Sequence, residues 1–259
     1  MTTNKILYPI FFLLFLVSCS SEPPTGKTEA EVLFKEAQEL IDSGRYILAT
    51  EKLNTIKTNY PYSFYATPAE LMLADVLYQQ ENYAEAAAAF LLFRDMHPKH
   101  PKIPYVIWMI GQSYYAQLPD TFDRDLSVAK EAMKYYAEII QKYSKSEYVN
   151  KAKEKIQTCQ KMILQKELYI ADFYYRTEVH QAARWRYMRI LRNGFSPEDK
   201  KMAMARIVVT SYRMGEFETC LKYYDRFTSV IGKSRNEDLK PTIKNCRSKK
   251  PFVGSRPWI

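Results

Sequence analysis

Between residues 28 and 231 apolar side chains recur every three or four positions and scarcely ever alternate, which predicts helices with almost no strand. Five stretches share one punctuation: GRYILATEKLNTIKTNYP (44–61), ENYAEAAAAFLLFRDMHP (81–98), LSVAKEAMKYYAEIIQKYS (126–144), EVHQAARWRYMRILRNGF (178–195) and GEFETCLKYYDRFTSVIG (215–232). Each opens at a corner and sets Tyr46, Tyr83, Ala129, His180 or Phe217 at an anchor position. Three residues later stand Ala49, Ala86, Ala132, Ala183 and Cys220. Fifteen residues after the anchor come Pro61, Pro98, Ser144, Phe195 and Gly232, where each helix should stop. A small residue one turn from an aromatic lets a neighbouring helix come close while the ring fills the adjacent hole. A terminal proline or glycine then breaks the helix so that the chain can fold back.

Between these segments lie partner helices predicted at Glu29–Ser43, Tyr65–Gln80, Ile103–Gln117, Glu147–Tyr175 and Pro197–Met214. Glycine is scarce and is expected at corners. Helix pairs repeating at 37 residues (46 to 83, 180 to 217) are similar to tetratricopeptide repeats, whose period is about 34. The intervals of 46 and 51 are accounted for by an insertion at Leu118–Asp125 and a lengthened helix at 147–175. The expected fold is all-α: a tetratricopeptide-like right-handed superhelix of about five antiparallel helix pairs, stable only as an array. It would span 28–231, with N-terminal repeats at 28–98 and C-terminal repeats at 102–231.

The N-terminus changes the picture. Lys5 precedes an apolar run from Ile6 to Val17, too short to cross a bilayer and suited to a signal peptide. Leu16-Val17-Ser18-Cys19 resembles the bacterial lipobox, which implies removal of residues 1–18 and acyl chains on Cys19. An ordinary secretory signal with an incidental cysteine is the plainer alternative. Two or more chains, at about 0.8 kcal/mol per buried methylene, anchor a protein stably. Ser20 stands where an aspartate would mark inner-membrane retention, so the resemblance implies the outer membrane, facing the periplasm. Residues 19–27, with two prolines and a glycine, read as a flexible tether.

The net charge of +9 would suggest nucleic acid or anionic lipid, but it is unevenly spread. Eight Lys/Arg and two Asp/Glu fall between Lys233 and Ile259, so without that stretch and Lys5 of the signal segment the helical body is left at about +2. Residues 232–259 therefore read as a basic, solvated C-terminal tail, with no nucleic acid expected on the body. Beyond Cys19 there are Cys159, Cys220 and Cys246, enough for one intramolecular pair at most. Cys220, where other repeats carry alanine, reads as a small buried thiol.

HPKHP (97–101) holds two of three histidines. Each precedes a proline, which pushes it out of the α region, so the stretch reads as a stiff corner between helices and not as half a metal site. No GxSxG, HExxH, P-loop or GxGxxG occurs, so neither an enzyme nor a cofactor other than covalent lipid is expected. Two stretches carry more promise. NYPYSFY (59–65) has more aromatics than one corner can bury, which makes Tyr60, Tyr62, Phe64 and Tyr65 candidates for a peptide groove. In RWRYMRILR, Arg184, Arg186, Arg189 and Arg192 cover much of a helix, and guanidinium forks suit carboxylates at an interface.

In order, the lipobox, the AxxLxxGxY pattern near 37–46, NYPYSFY, HPKHPKIPYVIWMIGQSYY (97–115), the insertion, YSKSEYVNKAKEKI (143–156) and ELYIADFYYRTEVHQAARWRYMRIL (167–191) resemble the BamD (YfiO/ComL-like) family. The resemblance covers roughly 15–215 and weakens after Ser196, where NGFSP replaces a Tyr-Pro corner. It implies an outer-membrane lipoprotein of the β-barrel assembly (BAM) complex. The N-terminal repeats would receive unfolded outer-membrane proteins, and the C-terminal repeats would dock on a POTRA domain of BamA. Other BAM lipoproteins are possible partners. Arg186 matches the family's docking arginine, to within about a turn. Two other classes compete: another lipid-anchored tetratricopeptide scaffold such as a pilotin, and a ComL-like DNA-uptake or peptidoglycan-associated lipoprotein.

Overall fold

The computed structural model describes residues 28–193 and 196–253. The signal segment 1–18, Cys19 and its tether through 27, the helix-stop residue Phe195 and residues 254–259 lie outside the described residues. Among those described there are eleven helices and no strand: α1 (Glu29–Asp42), α2 (Tyr46–Asn59), α3 (Ala66–Gln79), α4 (Tyr83–Met96), α5 (Ile103–Ala116), α6 (Ser127–Lys142), α7 (Tyr148–Arg176), α8 (His180–Arg192), α9 (Pro197–Arg213), α10 (Phe217–Ile231) and α11 (Lys233–Arg247).

The repeat register survives in detail. Four helices begin at their anchor: α2 at Tyr46, α4 at Tyr83, α8 at His180 and α10 at Phe217; α6 begins two residues ahead of Ala129. Ala49, Ala86, Ala132, Ala183 and Cys220 are all fully buried, as close helix approach requires. Two residues before each of those four anchors the backbone turns left-handed, at Gly44 (φ 72°), Glu81 (φ 62°), Glu178 (φ 62°) and Gly215 (φ 74°). The turn geometry thus outranks residue preference, and two glutamates adopt a conformation that glycine takes more easily.

The chain divides into two compact units, residues 1–82 and 83–259. The division falls ahead of the HPKHP corner that separates N-terminal from C-terminal repeats in the sequence reading. In the first unit α1 opens on a Thr28 cap, whose Oγ accepts from the Glu31 amide at 3.3 Å. Here α1 packs on α2, and α2 on α3. Ala37, Leu53, Ile56, Ala69 and Val76 are buried between them.

In the second unit each helix from α4 to α11 packs on the next. Large side chains fill the spaces left by the alanines: Phe90, Ile107, Ile110, Tyr136 and Ile139, then Tyr187, Ile190, Ile207 and Ile231, all fully buried. Gly111 is an exception to the corner rule. It sits inside α5, and a Cβ built on it would lie 2.6 Å from a Tyr136 ring carbon. The Tyr136 hydroxyl then donates to Gln112 Oε1 at 2.6 Å, so this glycine is a socket for the ring.

Two expectations are corrected. Residues 233–247 are not a solvated tail but helix α11, with Leu239, Ile243 and Cys246 buried. Cys220 is not a thiol: it forms a disulfide with Cys246 and fastens α11 to α10. A short apolar stripe among many basic residues was masked by their charge. The small-residue site on α10 is filled by a cross-link instead of by an alanine methyl. Cys159 is the free cysteine among the described residues, and burial pushes its thiol up to about 11.

Candidate interaction surfaces

The aromatic corner is built on backbone. α2 ends at Asn59, the Tyr60 amide still bonds to Ile56 O, and the chain then turns through Ser63 N→Tyr60 O and Ala66 N→Ser63 O. The Ser63 hydroxyl accepts from the Tyr65 amide at 3.2 Å and sets the entry to α3. This frame sorts the four rings. Tyr65 is half-buried against Phe34, with centroids 5.3 Å apart, and meets the edge of Phe64 at 5.5 Å. A hydrogen bond to Glu29, assisted by partial burial, holds the Tyr60 phenol above its usual pKa. Tyr62 and Phe64, at 101% and 84% exposure, stand in water. Two exposed rings on a fixed turn can stack on apolar or aromatic side chains of an extended peptide.

The arginine helix is sorted as sharply. Arg184 is turned inward: it donates to Ser211 Oγ at 3.2 Å and grips both oxygens of Glu216 at the α9–α10 turn. Arg186 and Arg189 share the buried carboxylate of Glu167 on α7, at 3.3 and 3.1 Å. Both guanidinium groups also lie against the Trp185 ring, 5.2 and 5.1 Å from its centroid. Arg192 is exposed and has no ion-pair partner among the described residues. The four arginines, spread around much of the helix, therefore divide between the interior of the fold and its surface. Arg184 braces the fold, while Arg186 and Arg189 frame an exposed tryptophan.

Trp185, 52% exposed, was missed from sequence, and so was Glu167. A signal for Trp185 was present: Ala183, Tyr187 and Ile190 form the buried stripe of α8, which leaves Trp185 off that stripe. Nothing in the sequence assigns Glu167 to α8, because the pairing depends on how α7 and α8 pack. Beside this face a cleft of about 400 Å³ opens among α6, α7 and α8, lined by Lys130, Met133, Ile163, Lys166, Glu167 and Arg189. Lys166 also donates to the Arg124 carbonyl at 2.5 Å and ties the Leu118–Asp125 insertion to α7.

The histidines do packing work. His97 and His100 flank the buried Phe93 ring at 4.8 and 5.2 Å, and the His100 Nδ1 accepts from the Lys102 amide at 3.2 Å. Burial and the neighbouring His97 and Lys102 lower the His100 pKa. His180 fills its anchor position against Tyr175, with Nδ1 buried and unbonded. No group of three His, Cys, Asp or Glu suited to a metal occurs among the described residues.

A family model described as "Outer membrane lipoprotein", YfiO, matches residues 27–224. The chain belongs to the YfiO family. Similar proteins include the outer membrane protein assembly factor BamD of Vibrio cholerae, 30% identical over 189 residues, which cover 69% of this chain and 78% of that one. The BamD of Neisseria meningitidis serogroup A is 27% identical over 73% of this chain and 76% of its own, and that of Rickettsia prowazekii 26% identical over 90% and 92%. Among solved structures, the TPR2AB domain of yeast Sti1 in its pHSP90 complex matches with TM-score 0.42 and 11% identity over 85% of this chain and 97% of that one. The tetratricopeptide-like fold rests on the helix register described above. No helix among the described residues is long and apolar enough to cross a membrane.

Proposed function

We propose that this protein is a non-enzymatic, lipid-anchored scaffold of the outer-membrane β-barrel assembly complex, held by acyl chains on Cys19 at the periplasmic face. The observation that carries this reading is the family match over residues 27–224, joined by relatives named for outer membrane protein assembly. The surfaces suit a scaffold. The exposed rings of Tyr62 and Phe64 would receive apolar side chains of unfolded outer-membrane proteins, while Tyr60 and Tyr65 hold the corner in shape. The Trp185 face, with Arg186, Arg189 and Arg192 around it, would dock an acidic patch on a POTRA domain of BamA.

Trp and Arg are the residues that most often dominate binding energy at protein interfaces. Arg184 is left out of that interface because Glu216 and Ser211 already occupy it. The test is co-purification of BamA with the membrane-extracted protein. Arg186→Glu should weaken that association at least tenfold while far-UV circular dichroism stays unchanged, a loss of about 1.4 kcal/mol or more. Undiminished recovery of BamA with the variant would remove Arg186 from the interface; no BamA with the wild type would remove the scaffold reading itself.

A further inference from the structure

Helix α11 begins beyond residue 224, where the family match ends. Its inner side is firmly held. Leu239, Ile243 and Cys246 are buried, the Cys220–Cys246 disulfide joins it to α10, and Asn236 donates to Thr228 O at 2.8 Å. Farther along, Asn245 Nδ2 donates to the Tyr212 hydroxyl at 3.1 Å. The outer side is a line of charge. Lys233, Lys240, Lys244 and Arg247 are all exposed, and at 100° per residue they fall within about 60° of one another along about 21 Å of helix.

Glu237 shares that line and is paired with Lys240. Lys233, Lys244 and Arg247 have no ion-pair partner among the described residues, and Lys249 and Lys250 extend the exposed charge. Between this line and α10 runs a groove of about 570 Å³, floored by Ile243 and flanked by Tyr224, Lys240, Lys244, Arg247 and Ser248. Like charges one turn apart lie within a Debye length and repel, so the folded helix holds an electrostatic strain that an anion relieves.

We propose that the α10–α11 groove and its cationic line bind the phosphate groups of anionic phospholipid headgroups, making α11 a second membrane contact. The inference rests on the membrane-anchored reading above. Three features select a lipid surface. Lysines act as point charges that suit phosphates without demanding a fixed orientation, and Arg247 adds one bidentate fork. The line engages several headgroups at once, whereas the groove holds one, with its glycerol against Ile243 and Tyr224. An acyl anchor raises the local concentration of lipid, so even weak headgroup contacts become occupied.

The test uses the full chain, with lipidation of Cys19 confirmed by mass, in phosphatidylcholine vesicles with or without phosphatidylglycerol. Backbone amide exchange is followed across residues 233–250. Phosphatidylglycerol should slow exchange there about threefold or more, and about 0.5 M salt should reverse the effect. The combined Lys240→Gln, Lys244→Gln and Arg247→Gln variant should lose the effect with its disulfide and helicity intact. A milder variant, Lys244→Gln alone, should show a partial loss and covers misfolding of the first. Equal exchange in the two vesicle types overturns the proposal. So does protection reproduced by soluble glycerophosphoglycerol without anionic vesicles, or by polyglutamate alone, which would assign the groove to a free phosphate or an acidic protein. Failure of the chain to partition into either vesicle is a different result, and it counts against the lipid anchor.

Discussion

The corner at Tyr62 and Phe64 and the face around Trp185 both expose aromatic rings, yet they are held in opposite ways. At the corner the backbone is fixed by a serine turn while the rings of Tyr62 and Phe64 stand largely in water, Phe64 meeting the edge of Tyr65. On α8 the ring is itself framed by two guanidinium groups, which in turn grip a buried carboxylate on the neighbouring helix. The first arrangement leaves side chains free to adapt to varied sequences. The second is pre-organised and loses less freedom when a single partner docks. Backbone order and side-chain order are thus set separately in the two places.

The largest way to break this contrast is to loosen the second unit while sparing the first. Cys246→Ser opens the α10–α11 cross-link and should cost about 2–4 kcal/mol of the second unit's stability. Denaturant unfolding followed by amide exchange should show the loss in α9–α11 and none in α1–α3. Next, Glu167→Gln removes the charge that holds Arg186 and Arg189. With the guanidiniums partly in water, the expected cost is about 2 kcal/mol, below the value for a fully buried pair. The same variant should weaken BamA co-purification without touching Trp185. Unaltered association would mean that Trp185 needs no framing.

A smaller effect concerns His180, whose pKa is lowered by burial and by Arg213. A histidine with a folded pKa below the ordinary 6.5 favours folding fully when neutral, and that contribution is lost as pH falls from above 6.5 through the folded value. His180→Phe supplies the kind of aromatic found at three of the other four anchors and should flatten the acid side of the stability profile, by about 1 kcal/mol or less. The smallest stability effect is expected at the corner. Tyr62→Ala with Phe64→Ala should change stability by less than about 0.5 kcal/mol, since both rings are exposed. Cross-linking of unfolded outer-membrane protein segments to the first unit should nonetheless fall several-fold. Full retention of cross-linking would move the peptide surface away from this corner.

How far the fold could be read ahead follows from local physics. Anchors, small residues and helix stops lie within one helix or one turn, so their spacing alone marked the repeated segments, and the structure starts four helices at the anchors Tyr46, Tyr83, His180 and Phe217. The proline logic at HPKHP also holds: α4 ends at Met96, α5 begins at Ile103, and the histidines sit between them. That NYPYSFY leaves some rings exposed was legible from its crowding, but that these are Tyr62 and Phe64 was not. What was not legible depends on partners distant in sequence. The split among the arginines, the Glu167 clasp, the Gly111 socket for Tyr136 and the Cys220–Cys246 bond each require two helices to meet.

The sequence by itself determined an all-helical repeat array, its register and its family, because helical periodicity and turn punctuation are encoded over a few residues. The tertiary structure alone decided that the basic C-terminus is a fastened helix and that Trp185 is left exposed while Arg184 is turned inward. Burial and pairing are properties of two surfaces in contact, and a single helix carries only one of them.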